Sequence, residues 1–134
     1  MKRIVFDSYA FLALFRSERG HEEVSQLLTD ISMGEKEGFI CVVNAGEVYY
    51  ITARKQDNKK AQLAWDSLRH FPLHFEDADF HLTLSAAKLK AKYKMSYADA
   101  FAAALTIAKK ATLITGDKEF KMLEGETNFK VKFI

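Results

Sequence analysis

Short unbroken apolar runs alternate along this chain with apolar residues at helical spacing. Ile4-Val5-Phe6 is too short for a helix and stops at Asp7-Ser8, so it predicts a buried first strand. Residues 9–15 are mostly apolar and predict a helix, broken over 16–20. Val24, Leu27, Leu28 and Ile31 recur at i, i+3, i+4, i+7 and predict an amphipathic helix over 21–33. Residues 34–38 read as a charged turn and 39–43 as a second strand. Asn44 then caps a helix that carries Val48 and Ile51 inward and runs to about Lys55. After a turn at 56–58, Ala61, Ala64, Trp65 and Leu68 mark the next helix, and Leu73-His74-Phe75 a third strand. Phe80, Leu84, Ala87 and Ala91 mark a helix ending near Tyr93. Tyr97, Phe101, Leu105 and Ala108 stripe the following one, whose many alanines suit close packing on a sheet. Leu113-Ile114 is the core of a fourth strand, a helical turn follows Asp117, and residues 129–133 form a fifth strand.

Strands alternating with helices predict an α/β fold, a parallel sheet with helices on both faces. Right-handed crossovers restrict its topology. In such sheets ligands bind outside the carboxyl ends of the strands, where strand order reverses. Asp7 directly follows the first strand and Asp117 the fourth. If those strands are neighbours, both carboxylates meet at that crevice.

Composition narrows the class without changing the fold. The 134 residues suit a single domain, 1–134, with a sizeable core. Hydrophobic residues at 49% and charged residues at 28% give an ordinary soluble balance. No apolar run approaches the roughly 20 residues of a membrane span, and Asp7 arrives too early for a signal peptide. The lone Cys41 leaves no internal disulfide, which fits a cytoplasmic protein. A net charge of +2 favours an anionic partner only weakly.

Four acids stand out by position: Asp7, Glu47, Asp99 and Asp117. Each has a local explanation. Asp7 and Asp117 can cap the turns that follow them. Asn44-x-x-Glu47 and Ser96-x-x-Asp99 have capping-box spacing. Capping does not explain why three of them fall at or near strand carboxyl ends, with Asp99 on the helix leading into the fourth strand. Carboxylates gathered there repel, and one must hold a proton at neutral pH unless a cation is present. Mg2+ meets that need with oxygen ligands, few direct carboxylates and several waters. Such an ion suits phosphoryl chemistry. Neither a Gly-x-x-x-x-Gly-Lys-Ser/Thr loop nor Gly-x-Gly-x-x-Gly occurs, no Cys/His cluster has zinc spacing, and the four histidines lie away from the acids in sequence.

Taken together, Ile4-Val5-Phe6-Asp7-Ser8, Asn44-Ala45-Gly46-Glu47, Ser96-Tyr97-Ala98-Asp99-Ala100 and Leu113-Ile114-Thr115-Gly116-Asp117-Lys118-Glu119-Phe120 resemble the PIN-domain family. Size and element order look most like the VapC toxins of type II toxin–antitoxin systems. The resemblance spans essentially the whole chain and implies a three-layer α/β/α sandwich around a mostly parallel five-stranded sheet. It also implies an endoribonuclease dependent on Mg2+ or Mn2+, with Asp7, Glu47, Asp99 and Asp117 as its acids. In that reading Asp7 and Asp99 contact the metal directly, while Glu47 and Asp117 orient waters or hold a second ion. Ser8 and Thr115 match auxiliary hydroxyl positions, and a local turn hydrogen bond explains them equally well. A VapB-like antitoxin and a homodimer are implied as partners. Asn44 departs from the Ser or Thr common in relatives.

An acidic site needs cations elsewhere to hold RNA. Arg54, Lys55, Lys59 and Lys60 form one candidate set, and Lys88, Lys90, Lys92 and Lys94 another, each also readable as a solvated face. Tyr49, Tyr50 and Trp65 are candidates for stacking bases or lining an antitoxin groove, with core packing the simpler role for Trp65. Two other readings stay open: a PIN nuclease of RNA processing without an antitoxin, and a receiver-like phosphoacceptor. The latter needs paired acids after the first strand, where only Asp7 stands.

Overall fold

The computed structural model describes residues 2–134. Along the chain run β1 (Lys2–Phe6), α1 (Ser8–Arg16), α2 (His21–Ser32), β2 (Lys36–Cys41), α3 (Val42–Lys55), α4 (Asn58–His70) and β3 (His74–Glu76). Then come α5 (Phe80–Lys92), α6 (Tyr97–Ala108), β4 (Thr112–Thr115), a 3-10 segment (Lys118–Leu123) and β5 (Lys130–Phe133). The sheet order is β3-β2-β1-β4-β5 and every pairing is parallel. The chain therefore builds outward from β1 to β3, then returns to the other side of β1 for β4 and β5. The reversal lies between β1 and β4, which pair from Ile4↔Thr112 to Phe6↔Ile114. Receiver-like folds use the order 2-1-3-4-5, so the sheet departs from that reading.

Burial on both faces explains the unbroken apolar strands. Ile4, Phe6, Ile40 and Ile114 face a core built with Phe11, Val24, Leu28, Val48 and Leu68, beneath α1 to α4. Val5, Phe39, Cys41 and Leu113 face the opposite core with Leu89, Phe101, Leu105, Phe120 and Leu123. These are the two helical layers the sequence predicts.

Five local expectations need correction. Residues 34–38 are not all turn, because β2 starts at Lys36 and pairs Lys2↔Lys36 and Arg3↔Glu37. The Arg3–Glu37 ion pair at 3.0 Å shows how a charged segment joins a sheet at its solvent end. Val42 and Val43 open α3 instead of ending β2, and the N-cap is Cys41 without a side-chain bond. Asn44 accordingly is no cap. It lies inside the first turn, and its Nδ2 donates to the Ala98 carbonyl at 3.1 Å, so a tertiary partner outweighs the local one.

On α5 the buried stripe is Leu82, Ala86 and Leu89, whereas Phe80 is 92% exposed and Leu84 51%. The helix carries two apolar stripes two residues apart, about 200° around its axis, and periodicity alone does not choose between them. On α6 the predicted stripe holds at Phe101 and Leu105, but Tyr97 and Ala108 at its ends are exposed. Ala100 through Thr106 are buried all round.

Candidate metal centre

β1 delivers Asp7 to the sheet rim. Its backbone is extended, φ −93° and ψ −178°, and it is the N-cap of α1, with Oδ1 accepting from the Ala10 N–H at 3.1 Å. Oδ2 accepts from the hydroxyl of Thr115, the last residue of β4. The carboxylate is only 2% exposed. The neighbouring parallel strand thus supplies the second donor to Asp7, which is why the β1–β4 pairing matters for the site.

Thr115 links onward. Its Oγ1 accepts from the Asp117 N–H at 3.0 Å, and Asp117 caps the 3-10 segment by accepting from the Glu119 N–H at 2.9 Å. Asp99 enters from the first turn of α6, capped by Ser96, whose Oγ accepts from the Asp99 N–H at 3.1 Å. The Asn44–Ala98 bond ties α3 to this same turn. Glu47, one turn further along α3, accepts from the Ser8 Oγ at 2.5 Å. Capping and convergence are therefore compatible: Asp7, Asp117 and Ser96 each cap a helix start, and those starts meet.

Carboxylate oxygens of Asp99, Asp117 and Glu119 lie within 4.8 Å of one another. Glu119 is the member that sequence reading left out. Asp7 and Glu47, both expected in the site, fall outside this group, yet Asp7 feels the charges of Asp99 and Asp117 and Asp99 feels that of Glu47. Burial raises the Asp7 pKa to about 7, with the charges of Asp99 and Asp117 adding to it against the lowering bonds from Thr115 and Ala10. Burial also raises Asp99 to about 6, assisted by Asp117, Glu47 and Glu119 and opposed by its bond to Ser96.

The residues fit a hard divalent cation. The set of Asp99, Asp117 and Glu119 is all oxygen and within mutual ligating reach, and burial raises the pKa of Asp99 and of nearby Asp7 well above the ordinary carboxylate range, with like charges adding to it. No histidine or cysteine joins the group among the described residues, which argues against a zinc-type set. Ser8 and Thr115, read from sequence as auxiliary hydroxyls, each hold one of the acids.

The lysine candidates divide. Lys90 donates to the Met95 carbonyl at 2.8 Å and Lys92 pairs with Glu126 at 2.6 Å, so both are engaged within the fold. Arg54 lies over the Tyr50 ring at 5.2 Å. Trp65 packs edge-on against Tyr49, with ring centroids 6.2 Å apart, while Tyr50 is 44% exposed. No helix among the described residues is long and apolar enough to cross a membrane.

A family model described as PIN domain matches residues 4–126. Comparison with curated protein sequences returns no match. Among solved structures, the chain is similar to VapBC2 from Rickettsia felis bound to a promoter DNA fragment, at TM-score 0.75 and 18% identity, over 98% of both chains. It is also similar to VapC20 from Mycobacterium tuberculosis, described as a Sarcin-Ricin loop cleaving toxin. That match has TM-score 0.73 and 16% identity over 90% of this chain and 95% of that one. FitAcB from Neisseria gonorrhoeae matches at TM-score 0.68 and 16% identity over 98% of this chain and 96% of that one. At these identities the likeness is one of fold.

Proposed function

This chain belongs to the PIN-domain family, and on that premise we propose that it is an endoribonuclease dependent on Mg2+ or Mn2+. We propose further that it acts in the cytoplasm as the toxin of a type II toxin–antitoxin pair, restrained by a VapB-like antitoxin. The observation that supports the nuclease reading is the grouping of Asp99, Asp117 and Glu119, with Asp7 near enough to feel the charges of Asp99 and Asp117 and with Asp7 and Asp99 raised to about 7 and 6. Uncompensated negative charge of that kind is costly unless something cationic uses it. Support for the toxin reading comes from proteins of like fold, VapBC2 from Rickettsia felis and VapC20, which is described as a toxin.

In this reading Asp7, Asp99 and Asp117 hold the ion, and Glu119 extends the oxygen set outward. When bound, a divalent ion supplies charge on the phosphate oxygens and acidifies an attacking water. The protein's own part is positioning. Thr115 and the Ala10 N–H fix both oxygens of Asp7, the Thr115 hydroxyl orders Asp117, and Ser8 fixes Glu47 as the acid that orients water.

The test is incubation of the purified protein with total RNA, with Mg2+ and with EDTA. Cleavage is expected only with the ion. Asp99→Asn and Asp7→Asn are expected to keep the circular-dichroism spectrum and lose cleavage at least about 100-fold, the scale of a lost charge-stabilising group. Full activity in either variant, or activity in EDTA, removes the mechanism. Expression without a partner is expected to arrest growth, and expression of Asp99→Asn is not. Equal growth of the two strains counts against the toxin role while leaving a processing nuclease standing.

A further inference from the structure

Tyr9 has no part in the core or in the carboxylate cluster, yet it stands beside both. It follows Asp7 by two residues in the first turn of α1 and is 43% exposed. Its ring lies against Gly116, where a β-carbon would come within 2.1 Å of Cε1 and 2.6 Å of Cζ. Glycine there is what leaves room for the ring. Gly116 sits between Thr115 and Asp117, so two separate segments bring this aromatic to the edge of the acid cluster. Backbone supports one side of the ring while much of the rest stays open.

A cleft of about 590 Å³ runs from Tyr9 along α1, and Arg16, Arg19 and Lys55 line it with Glu18 as the one acid. The Arg16 Nε is buried and donates to no protein acceptor, while its Nη1 lies 3.9 Å from the Glu18 carboxylate. An open aromatic beside a phosphodiester-cleaving site, continued by cations, matches the demands of single-stranded RNA: π-stacking for a base and positive charge for the phosphates.

We propose that Tyr9 is a base-stacking residue. It seats one nucleobase of single-stranded RNA beside the carboxylates, and the strand continues over Arg16, Arg19 and Lys55. The inference rests on the nuclease reading and names how that site grips its substrate. A ring held on Gly116 loses little freedom when a base stacks on it, so contact converts efficiently into affinity.

The experiment uses the full chain carrying Asp99→Asn, so that RNA is bound and not cut. Anisotropy is read with a labelled short single-stranded oligoribonucleotide, and then with versions abasic at one position each. Adding Tyr9→Leu is expected to weaken binding about tenfold, while Tyr9→Phe and Tyr9→Trp stay within about twofold. One abasic position is expected to cost the Tyr9 protein about tenfold and the Tyr9→Leu protein nothing further, a coupling that packing loss alone does not produce. Lys55→Gln is expected to weaken all oligonucleotides alike and flatten the salt dependence. Unchanged affinity in Tyr9→Leu, no abasic position that couples to Tyr9, or no RNA binding at all overturns the stacking role. A Tyr9→Leu protein that loses a polypeptide partner but keeps RNA overturns it too. Failure of the nuclease reading is separate: the protein with Asp99 intact would leave RNA uncut in Mg2+.

Discussion

Asp7 is a costly residue for an ion-free protein, and the sign of that cost is measurable. Its pKa lies near 7 in the fold against an ordinary 3.8, so the folded state holds the proton after the unfolded chain has released it. Stability from this group is therefore highest below pH 4, falls as pH rises towards 7, and stays low above that. The full penalty is about 4 kcal/mol for a shift of this size in so buried a group. Asp99 acts in the same direction over a lower window, up to about 6. Thermal melts in EDTA are expected to show lower stability at pH 8 than at pH 5 from these groups. Mg2+ is expected to raise the melting temperature more at pH 8, and Asp7→Asn is expected to flatten the profile. An Asp7→Asn protein with the same pH slope as the parent would contradict this account. Asn44 makes a second residue-scale case. Its Nδ2 bond to Ala98 joins α3 to the turn that presents Asp99. Asn44→Ala removes that part-buried bond, while the Ala98 carbonyl stays within α6, and is expected to cost about 1 kcal/mol in urea unfolding. The four acids drew notice in the sequence because each lies at a short, fixed offset from a strand end or a helix start, and of them Asp99 and Asp117 come within ligating reach of each other, with Glu119. Glu119 itself did not draw notice. Its approach to Asp99, far off in sequence, depends on where α6 and the 3-10 segment pack, which spacing along the chain does not record.

At the scale of the element, the strands were legible because continuous apolar runs bounded by polar residues leave few alternatives. Boundaries and helix faces were less so. Val42 and Val43 read as strand on β-propensity, but the parallel partner β3 pairs β2 only as far as Cys41↔Glu76. With no strand left to pair, α3 begins. On α5, Phe80 and Leu84 imitate a core stripe because spacing records amphipathicity and not direction. The end of α6 holds a local conflict that sequence also conceals. Lys110 adopts the left-handed conformation, φ 52°, while its N–H donates to Ile107 and the next N–H, from Ala111, donates to Thr106. That is the helix-ending turn in which glycine is favoured, because a β-carbon costs about 1 kcal/mol there. Lys110→Gly is accordingly expected to stabilise the chain by about 0.5–1 kcal/mol in denaturant unfolding. Loss of stability would mean that the Lys110 side chain makes a contribution larger than this strain.

For the molecule as a whole, the sheet order does two things at once. Reversal between β1 and β4 gathers the carboxylates at one rim, and it leaves β3 and β5 as short edges of three and four residues. Short edges limit strand-to-strand association, so any self-association has to use side chains. Among the exposed large apolar side chains, two share one helix face. Phe80, 92% exposed, and Leu84, 51% exposed, stand on successive turns of α5, the face that the helix does not spend on its own core. Single exposed apolar residues are ordinary; a phenylalanine almost fully in solvent one turn from an exposed leucine makes a small apolar patch. The homodimer expected from the family resemblance gives this face of α5 a direct test. Sedimentation of the wild-type chain is then expected to give a dimer and that of Phe80→Asp a monomer. The substitution removes no contact from the monomer's core, so its urea unfolding, measured where both proteins are monomeric, is expected to match the parent within about 0.5 kcal/mol. A Phe80→Asp protein that remains dimeric would move the interface elsewhere on the surface, and a wild-type monomer at high concentration would remove the dimer.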